Sequence, residues 1–116
     1  MIDKWITEIK QHPQIDKIGM ILIHNGIVRA TSKNGRSVKE MYLSYDAQRL
    51  GDIVQEIQKR EGIYEVRVWI NKGRLKIGDD IMKVLVAGRF RTEVLPALEE
   101  LVKRIKNEVV HEEEII

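Results

Sequence analysis

The sequence predicts an α+β fold in which helices pack on a mainly antiparallel β-sheet. Three observations favour this class. Two long segments, residues 47–61 and 92–107, carry apolar residues at helical spacing. Shorter apolar or alternating segments lie between them, and one of these, Ile81–Ala87, is almost continuously apolar, as expected of a central strand. The Asn34-Gly35 pair predicts a tight turn between two strands.

Each element has its own local signal. Apolar residues at helical spacing predict a helix at the start, which His12-Pro13 ends. Gly26 interrupts the first strand, as glycine does at a bulge. Asp46 and Thr92 are the expected N-caps of the two later helices, with Pro96 in the first turn of the last one. The predicted elements, in order, are helix 2–11, strands 18–30 and 38–45, helix 47–61 followed by Gly62, strands 64–70, 74–77 and 81–87, and helix 92–107.

Composition excludes several classes of protein. The 116 residues have the length of one domain, spanning 1–116, and contain 20 basic and 18 acidic residues, so a strongly basic nucleic-acid-binding protein is not expected. There is no cysteine, and the three histidines are scattered, so we predict no metal site and no cofactor. No signal peptide or membrane-spanning run is visible, which predicts a cytoplasmic protein that does not bind membranes.

Basic residues at the ends of elements are the strongest functional candidates. Arg29 ends the first strand, and Arg91 lies where the central strand meets the last helix, where backbone amides and a guanidinium can bind an anion together. Lys106 falls at the edge of the apolar stripe of the last helix, so its ammonium could project into a cleft. On spacing alone, solvated cations that complement the helix dipole remain the more common outcome.

Two other candidates have simpler structural explanations. His24 lies on a strand that looks buried, and a hydrogen-bonded core histidine is more common there than a ligand. Asp79-Asp80 follows Gly78 before a strand, which favours a turn over a catalytic carboxylate pair.

Four segments in the same order resemble the large, catalytic subunit of molybdopterin synthase. The strand ending in Gly26-Ile27-Val28-Arg29 is similar to that family's Gly-x-Val-Arg strand. The other similar segments are residues 37–45, residues 69–80 (the family's Ile-His-Arg-x-Gly-x-Leu-x-x-Gly-Glu) and residues 84–91 (its Val-x-Val-x-Ser-x-His-Arg), followed by the helix through Lys106. The resemblance covers about residues 15–114.

The resemblance implies an α/β hammerhead-type fold and a homodimer with a ubiquitin-like small subunit at each end, a heterotetramer. The small subunit carries a C-terminal thiocarboxylate and donates sulfur to cyclic pyranopterin monophosphate, a transferase reaction of molybdenum cofactor biosynthesis. By position, Arg29 and Arg91 would bind anionic groups of the substrates, and Lys106 would act directly in catalysis. The three cations are therefore expected to converge in one basic hollow. A lysine acts as a base or nucleophile only where its surroundings favour the neutral amine.

The sequence departs from the family's pattern at several of its functional positions. Phe90 stands where the family has histidine, and Asn71-Lys72 replaces its His-Arg pair. An acidic segment at the C-terminus replaces the family's Pro-x-Trp-Lys, with Glu113 nearest to its second lysine. A carboxylate there would repel an anionic substrate by roughly 1–4 kcal/mol at about 4 Å.

Three interpretations therefore remain open from the sequence. The chain is a working sulfur-transfer subunit, or a catalytically degenerate paralogue that keeps the fold as a binding or regulatory module, or an anion-binding domain whose resemblance is limited to fold. We also expect an exposed Trp69 and the terminal Ile115-Ile116 pair to contribute to a dimer interface.

Overall fold

The structure is a computed structural model that describes the whole chain, residues 1–116. It contains three α-helices, six β-strands, one short 3-10 helix and one π-helical turn. In chain order these are α1 (Ile2–Ile9), the 3-10 helix (Ile15–Lys17), β1 (Met20–Ile27), β2 (Glu40–Tyr45), α2 (Ala47–Gln58), β3 (Ile63–Ile70), β4 (Gly73–Lys76), β5 (Asp80–Gly88), α3 (Arg91–Arg104), the π-helical turn (Ile105–Val109) and β6 (Val110–Ile115). None of the helices combines the length and hydrophobicity that a membrane-crossing segment requires.

The strands form two antiparallel three-stranded sheets, ordered β1-β5-β3 and β4-β2-β6. The predicted α+β class is confirmed, and β5 is the central strand that its apolar run predicted. The expectation of one sheet was wrong, because β2 pairs with β4 and β6 and does not pair with β1. Only an isolated Thr31–Ser37 bridge connects the chain on either side of the predicted turn.

Three local signals in the first part of the chain are confirmed. In the predicted turn, the Gly35 N–H donates to the Ser32 carbonyl at 3.0 Å, and Gly35 has the positive φ of +84° that favours glycine. The predicted break at Gly26 is a shift of register between Gly26 and Ile27. Asp46 caps α2 by accepting a hydrogen bond from the Arg49 N–H at 3.0 Å.

The predictions for the last helix were wrong in three respects. Helix α3 begins at Arg91 with Phe90 at the N-cap and no side-chain cap, so Thr92 is not the cap. Pro96 consequently lies inside the helix, beyond its first turn. The α-helix ends at Arg104 and continues as the π-helical turn, after which β6 forms a strand that was not predicted.

A large apolar core holds the two sheets together. It takes residues from both sheets, α2, α3 and the π-helical turn, and includes Leu43, Val86 and Leu101, each at most 1% exposed. A smaller cluster of Ile9, Leu85 and Ala87 lies under α1 on the other face of the first sheet. Trp69 is half-buried rather than exposed as expected, with the Lys83 ammonium 6.0 Å from its ring centre.

Candidate functional site

A hollow of about 660 Å³ opens where the end of β1, the loop after it, the π-helical turn and β6 meet. Its volume lies within the range of small-molecule sites. We call it the basic hollow, and its ionisable lining residues are His24, Arg29, Lys33, Lys106, Glu112 and Glu114. Two of the three cations predicted from the sequence, Arg29 and Lys106, thus line the same cavity.

Arg29 is positioned by the buried residue before it. Val28 is 1% exposed, its N–H donates to the Asp79 carbonyl at 2.9 Å, and its carbonyl accepts from the Gly78 N–H at 2.8 Å. These bonds fix the chain just beyond β1 to the turn between β4 and β5. The predicted turn role of Asp79 is confirmed, because its side chain also accepts from the Lys76 N–H at 2.8 Å. Arg29 follows directly and is exposed towards the basic hollow.

Lys106 is positioned by the π-helical turn. Ile105 and Val109, at the two ends of the turn, are 0% and 5% exposed and belong to the main core. Lys106 and Asn107 lie between these anchors, are exposed, and line the basic hollow. The π-helical turn, which often occurs at functional sites, replaces the regular α-helical geometry assumed from the sequence.

An ion-pair network holds this turn against the rest of the protein. The Arg104 guanidinium donates to Glu108 at 3.1 Å and to Glu56 of α2 at 2.6 Å, and Arg49 forms a second ion pair with Glu108. Hydrogen bonds from Arg104 and Arg49 lower the pKa of the Glu56 and Glu108 carboxyls. The network therefore fixes the segment that carries Lys106 without using Lys106 itself.

Strand β6 brings carboxylates to the basic hollow. Glu112 pairs with Leu43 of β2, and Glu114 pairs with Met41. The side chains of Leu43 and Met41 are buried, so the two glutamates opposite them lie on the same, inner face of the second sheet. Glu113 pairs with Tyr42, which is 52% exposed, and lies on the outer face. The sequence left open whether the acidic segment faces the site, and the strand alternation directs Glu112 and Glu114, but not Glu113, towards the basic hollow.

The charges of the basic hollow are free of ion pairs in this structure. Arg29, Lys33 and Lys106 supply three positive charges, whereas Glu112 and Glu114 supply two negative ones. None of these five groups lies within 4.0 Å of an oppositely charged group, although ten such ion-pair contacts form elsewhere. The cations therefore remain available to an anionic ligand, which the carboxylates would partly oppose.

His24 differs from the hydrogen-bonded core histidine expected from the sequence. It is half-buried and makes no hydrogen bond, and its Nε2 atom is buried without a partner. It lines the basic hollow together with Lys106 and also lines an adjoining hollow of about 530 Å³ beside α3, which we call the outer hollow. Burial, and secondarily the charge of Lys106, lower the pKa of His24 below its usual 6.5, so the imidazole is neutral at pH 7.

Arg91 does not line the basic hollow of its own chain. It begins α3, whereas Lys106 follows the end of that helix, so about 20 Å of helix axis separates them. Arg91 is exposed and makes no ion pair, whereas its neighbour Arg89 is bound to Glu93 at 2.7 Å. Phe90, at the same end of α3, is 57% exposed. The expectation that all three predicted cations meet within one chain therefore fails for Arg91.

Three parts of the site were missed by sequence reasoning. Lys33 was read only as part of a turn, although a turn after β1 must lie near Arg29. His24 is two residues from Leu22, which packs on the main core, so the strand period places both on the same face of β1, and this signal was available from the sequence. The inward direction of Glu112 and Glu114 depends on the pairing of β6 with β2, which the local sequence does not determine.

The fold and the site define an α+β protein with a small, basic cavity suited to an anionic ligand. Comparison with known proteins identifies the family. The sequence model of the family described as MoaE protein matches residues 2–108, which is most of the chain. The chain therefore belongs to the MoaE family, and the resemblance found in the sequence is confirmed. This membership excludes the third interpretation, a domain that resembles the family only in its fold. It supports a role in molybdenum cofactor biosynthesis.

Individual relatives agree with this assignment. An uncharacterized protein of Methanocaldococcus jannaschii is 29% identical over 94 residues, which are 78% of this chain and 79% of that protein. Molybdopterin synthase from Staphylococcus aureus has a similar fold, with a TM-score of 0.74 and 23% identity over 91% of this chain and 82% of that one. A chain from the complex of subunits 1 and 2 of molybdopterin-converting factor from Helicobacter pylori gives a TM-score of 0.73 and 15% identity over 99% and 78% of the two chains.

Proposed function

We propose that this chain is the large subunit of a molybdopterin synthase and transfers sulfur from a thiocarboxylated, ubiquitin-like small subunit to cyclic pyranopterin monophosphate. The observation that carries the proposal is the shared location of Arg29 and Lys106. These two residues correspond to family positions expected to bind an anion and to act in catalysis, and both line the basic hollow.

The charge of the basic hollow suits this reaction. The thiocarboxylate and the substrate phosphate are both anions, so they repel one another as they approach. Cations fixed around the meeting point lower that cost and stabilise negative charge in the transition state. Arg29 holds an anionic group, and Lys106 acts at the reacting centre as an acid, base or nucleophile.

The proposed assembly is a cytoplasmic homodimer that binds one small subunit at each end. The solved complex of two molybdopterin-converting factor subunits supports a sulfur-carrier partner. The homodimer would also give Arg91 a role. Since the length of α3 separates Arg91 from the basic hollow of its own chain, it can bind the same substrate only from the second copy.

The test is reconstitution with a thiocarboxylated small subunit and the pyranopterin substrate. Formation of the dithiolene product at a rate comparable to that of the Staphylococcus aureus enzyme would support the proposal. Absence of product under conditions in which that enzyme turns over would contradict it.

A second function is favoured by specific residues. Phe90 lacks the proton-carrying imidazole of the family, and two carboxylates face the basic hollow. A catalytically degenerate paralogue would still bind the small subunit through the retained fold. Binding in a pull-down or by calorimetry without dithiolene formation would identify this binding or regulatory module.

A further inference from the structure

His24 is the only histidine that lines the basic hollow, and histidine is the side chain whose ordinary pKa lies closest to neutral pH. His24 extends from β1 to the boundary between the basic and outer hollows. Like Lys33 and Lys106, it lines both of them. Its Nε2 is buried without a partner, and its Nδ1 makes no hydrogen bond but is not buried. A buried polar atom without a partner is costly to keep, so a structural role does not explain this imidazole.

The charged groups around His24 are four cations and three carboxylates, so they carry a small net positive charge. On the side of the basic hollow they are Arg29, Lys33 and Lys106 with Glu112 and Glu114, and on the side of the outer hollow they include Lys103 and Glu99 of α3. None of the charged groups that line the basic hollow is neutralised by an ion pair within 4.0 Å. Adding a proton to His24 would therefore add a fourth positive charge to the basic hollow.

A bound anion reverses the electrostatic cost of protonating His24 beside the other cations. Burial is the larger cause of the lowered His24 pKa and repulsion from Lys106 the smaller one, and an oxyanion beside Lys106 offsets that repulsion and attracts the imidazolium. By linkage, a ligand that favours the protonated form must bind more tightly when that form is present.

We propose that His24 is an anion-linked proton acceptor of the basic hollow. The imidazole is neutral while the hollow is empty, and it takes one proton from solvent at Nδ1 when a phosphate-like oxyanion binds beside Lys106. The protonated ring then adds a charge and an N–H donor to the binding site. This inference rests on the proposed function and extends it, because His24 gives the site the imidazole that Phe90 does not supply. Its test is separate, because oxyanion binding can be measured without sulfur transfer.

The direct test is an NMR titration of the histidine ring protons with and without inorganic sulfate. Sulfate keeps the same charge from pH 5.5 to 8, so any pH dependence belongs to the protein. His24→Gln identifies the His24 signal, and His12 and His111 serve as internal references. We expect the pKa of His24 to rise by about one unit with saturating sulfate, while the two references stay unchanged.

Sulfate affinity gives an independent measurement of the same linkage. The dissociation constant of the wild-type protein should increase by up to about tenfold from pH 5.5 to 8. It should be nearly independent of pH in His24→Gln, whereas His111→Gln, on exposed β6, should behave like the wild type. Sulfate binding that leaves the His24 pKa unchanged, or no sulfate binding at all, would overturn the proposal.

The outcome is separable from that of the proposed function. Dithiolene formation without a sulfate-induced shift would reject the role of His24 alone. A shift without dithiolene formation under conditions in which a reference enzyme turns over would reject sulfur transfer and leave the anion-linked protonation intact.

Discussion

Lys106 and Arg29 line one cavity, although Lys106 belongs to the π-helical turn after α3 and Arg29 follows β1. Each is fixed by a buried neighbour, Ile105 for the lysine and Val28 for the arginine. Neither cation is used in an ion pair. This combination of rigid backbone and free charge is what a pre-organised anion-binding site requires.

The carboxylates on the inner face of β6 should weaken anion binding. We expect the double variant Glu112→Gln, Glu114→Gln to bind sulfate about fivefold more tightly, which corresponds to roughly 1 kcal/mol of relieved repulsion. Glu113→Gln, on the outer face, is the matched control and should change affinity little. Calorimetry at low salt measures the effect, and equal changes in the two variants would show that the assignment of faces is wrong.

The Arg104 network should stabilise the protein in a pH-dependent way. Arg104 lowers the pKa of Glu56, and Arg49 together with Arg104 lowers the pKa of Glu108, from the usual 4.5, so the network contributes stability above that pH and loses it as the pH falls. Arg104→Gln should lower the melting temperature by a few degrees at pH 7, and the difference from wild type should shrink below about pH 4.5. Lys103→Gln, an exposed neighbour without an ion pair, should have little effect. A difference that is constant with pH would contradict this account.

Two glycines should respond in opposite ways to alanine. A Cβ at Gly88 would collide with the Gly62 carbonyl oxygen and lie 2.7 Å from Val94 Cγ2, so Gly88→Ala should destabilise the fold by about 3 kcal/mol. Gly51 lies within α2 with no atom near its added Cβ, so Gly51→Ala should stabilise by up to about 1 kcal/mol. Urea unfolding measures both, and a neutral Gly88→Ala would mean that β5 and the residues after α2 are packed less closely than observed.

The proposed role of Arg91 can be tested by mixing inactive variants. Arg91→Ala and Lys106→Ala should each lose sulfur transfer. If each site combines Lys106 of one copy with Arg91 of the other, random mixing of subunits should restore about a quarter of the wild-type rate, because half of the dimers then have one intact site of two. Mixing Lys106→Ala with Arg29→Ala should restore nothing, because both residues belong to the same hollow of one chain.

The elements with strong local signals were predictable from the sequence. Asp46 and the stripe including Ile53 and Ile57 defined α2, and the continuous apolar run defined β5. The predicted end at Gly62 was wrong, because α2 ends at Gln58 with Lys59 as its C-cap. The last helix was not predicted as well, because Thr92 resembles a cap and the apolar spacing continues into the π-helical turn. Strand β6 carries four polar residues in succession, His111 to Glu114, so no hydrophobic alternation indicated a strand.

Site residues were predictable from the sequence where the residue type and its position at the end of an element were enough to indicate a role. Arg29 and Lys106 were found because they end elements. Arg91 was expected in the same hollow because of its position in the family resemblance, although the predicted helix 92–107 already placed it at the opposite end from Lys106. The directions of Glu112 and Glu114 required the register of β6 against β2, a contact between distant segments.

The most direct test of the central claim compares sulfur transfer by Lys106→Ala and Lys59→Ala in the reconstituted system. Lys59 also follows the end of a helix and is exposed, but it lies outside the basic hollow. We predict that Lys106→Ala lowers the rate of dithiolene formation by at least about a hundredfold, as expected for loss of a group that acts at the reacting centre, whereas Lys59→Ala remains near wild type. Equal rates for the wild type and Lys106→Ala would contradict the assignment of the basic hollow as the site of sulfur transfer.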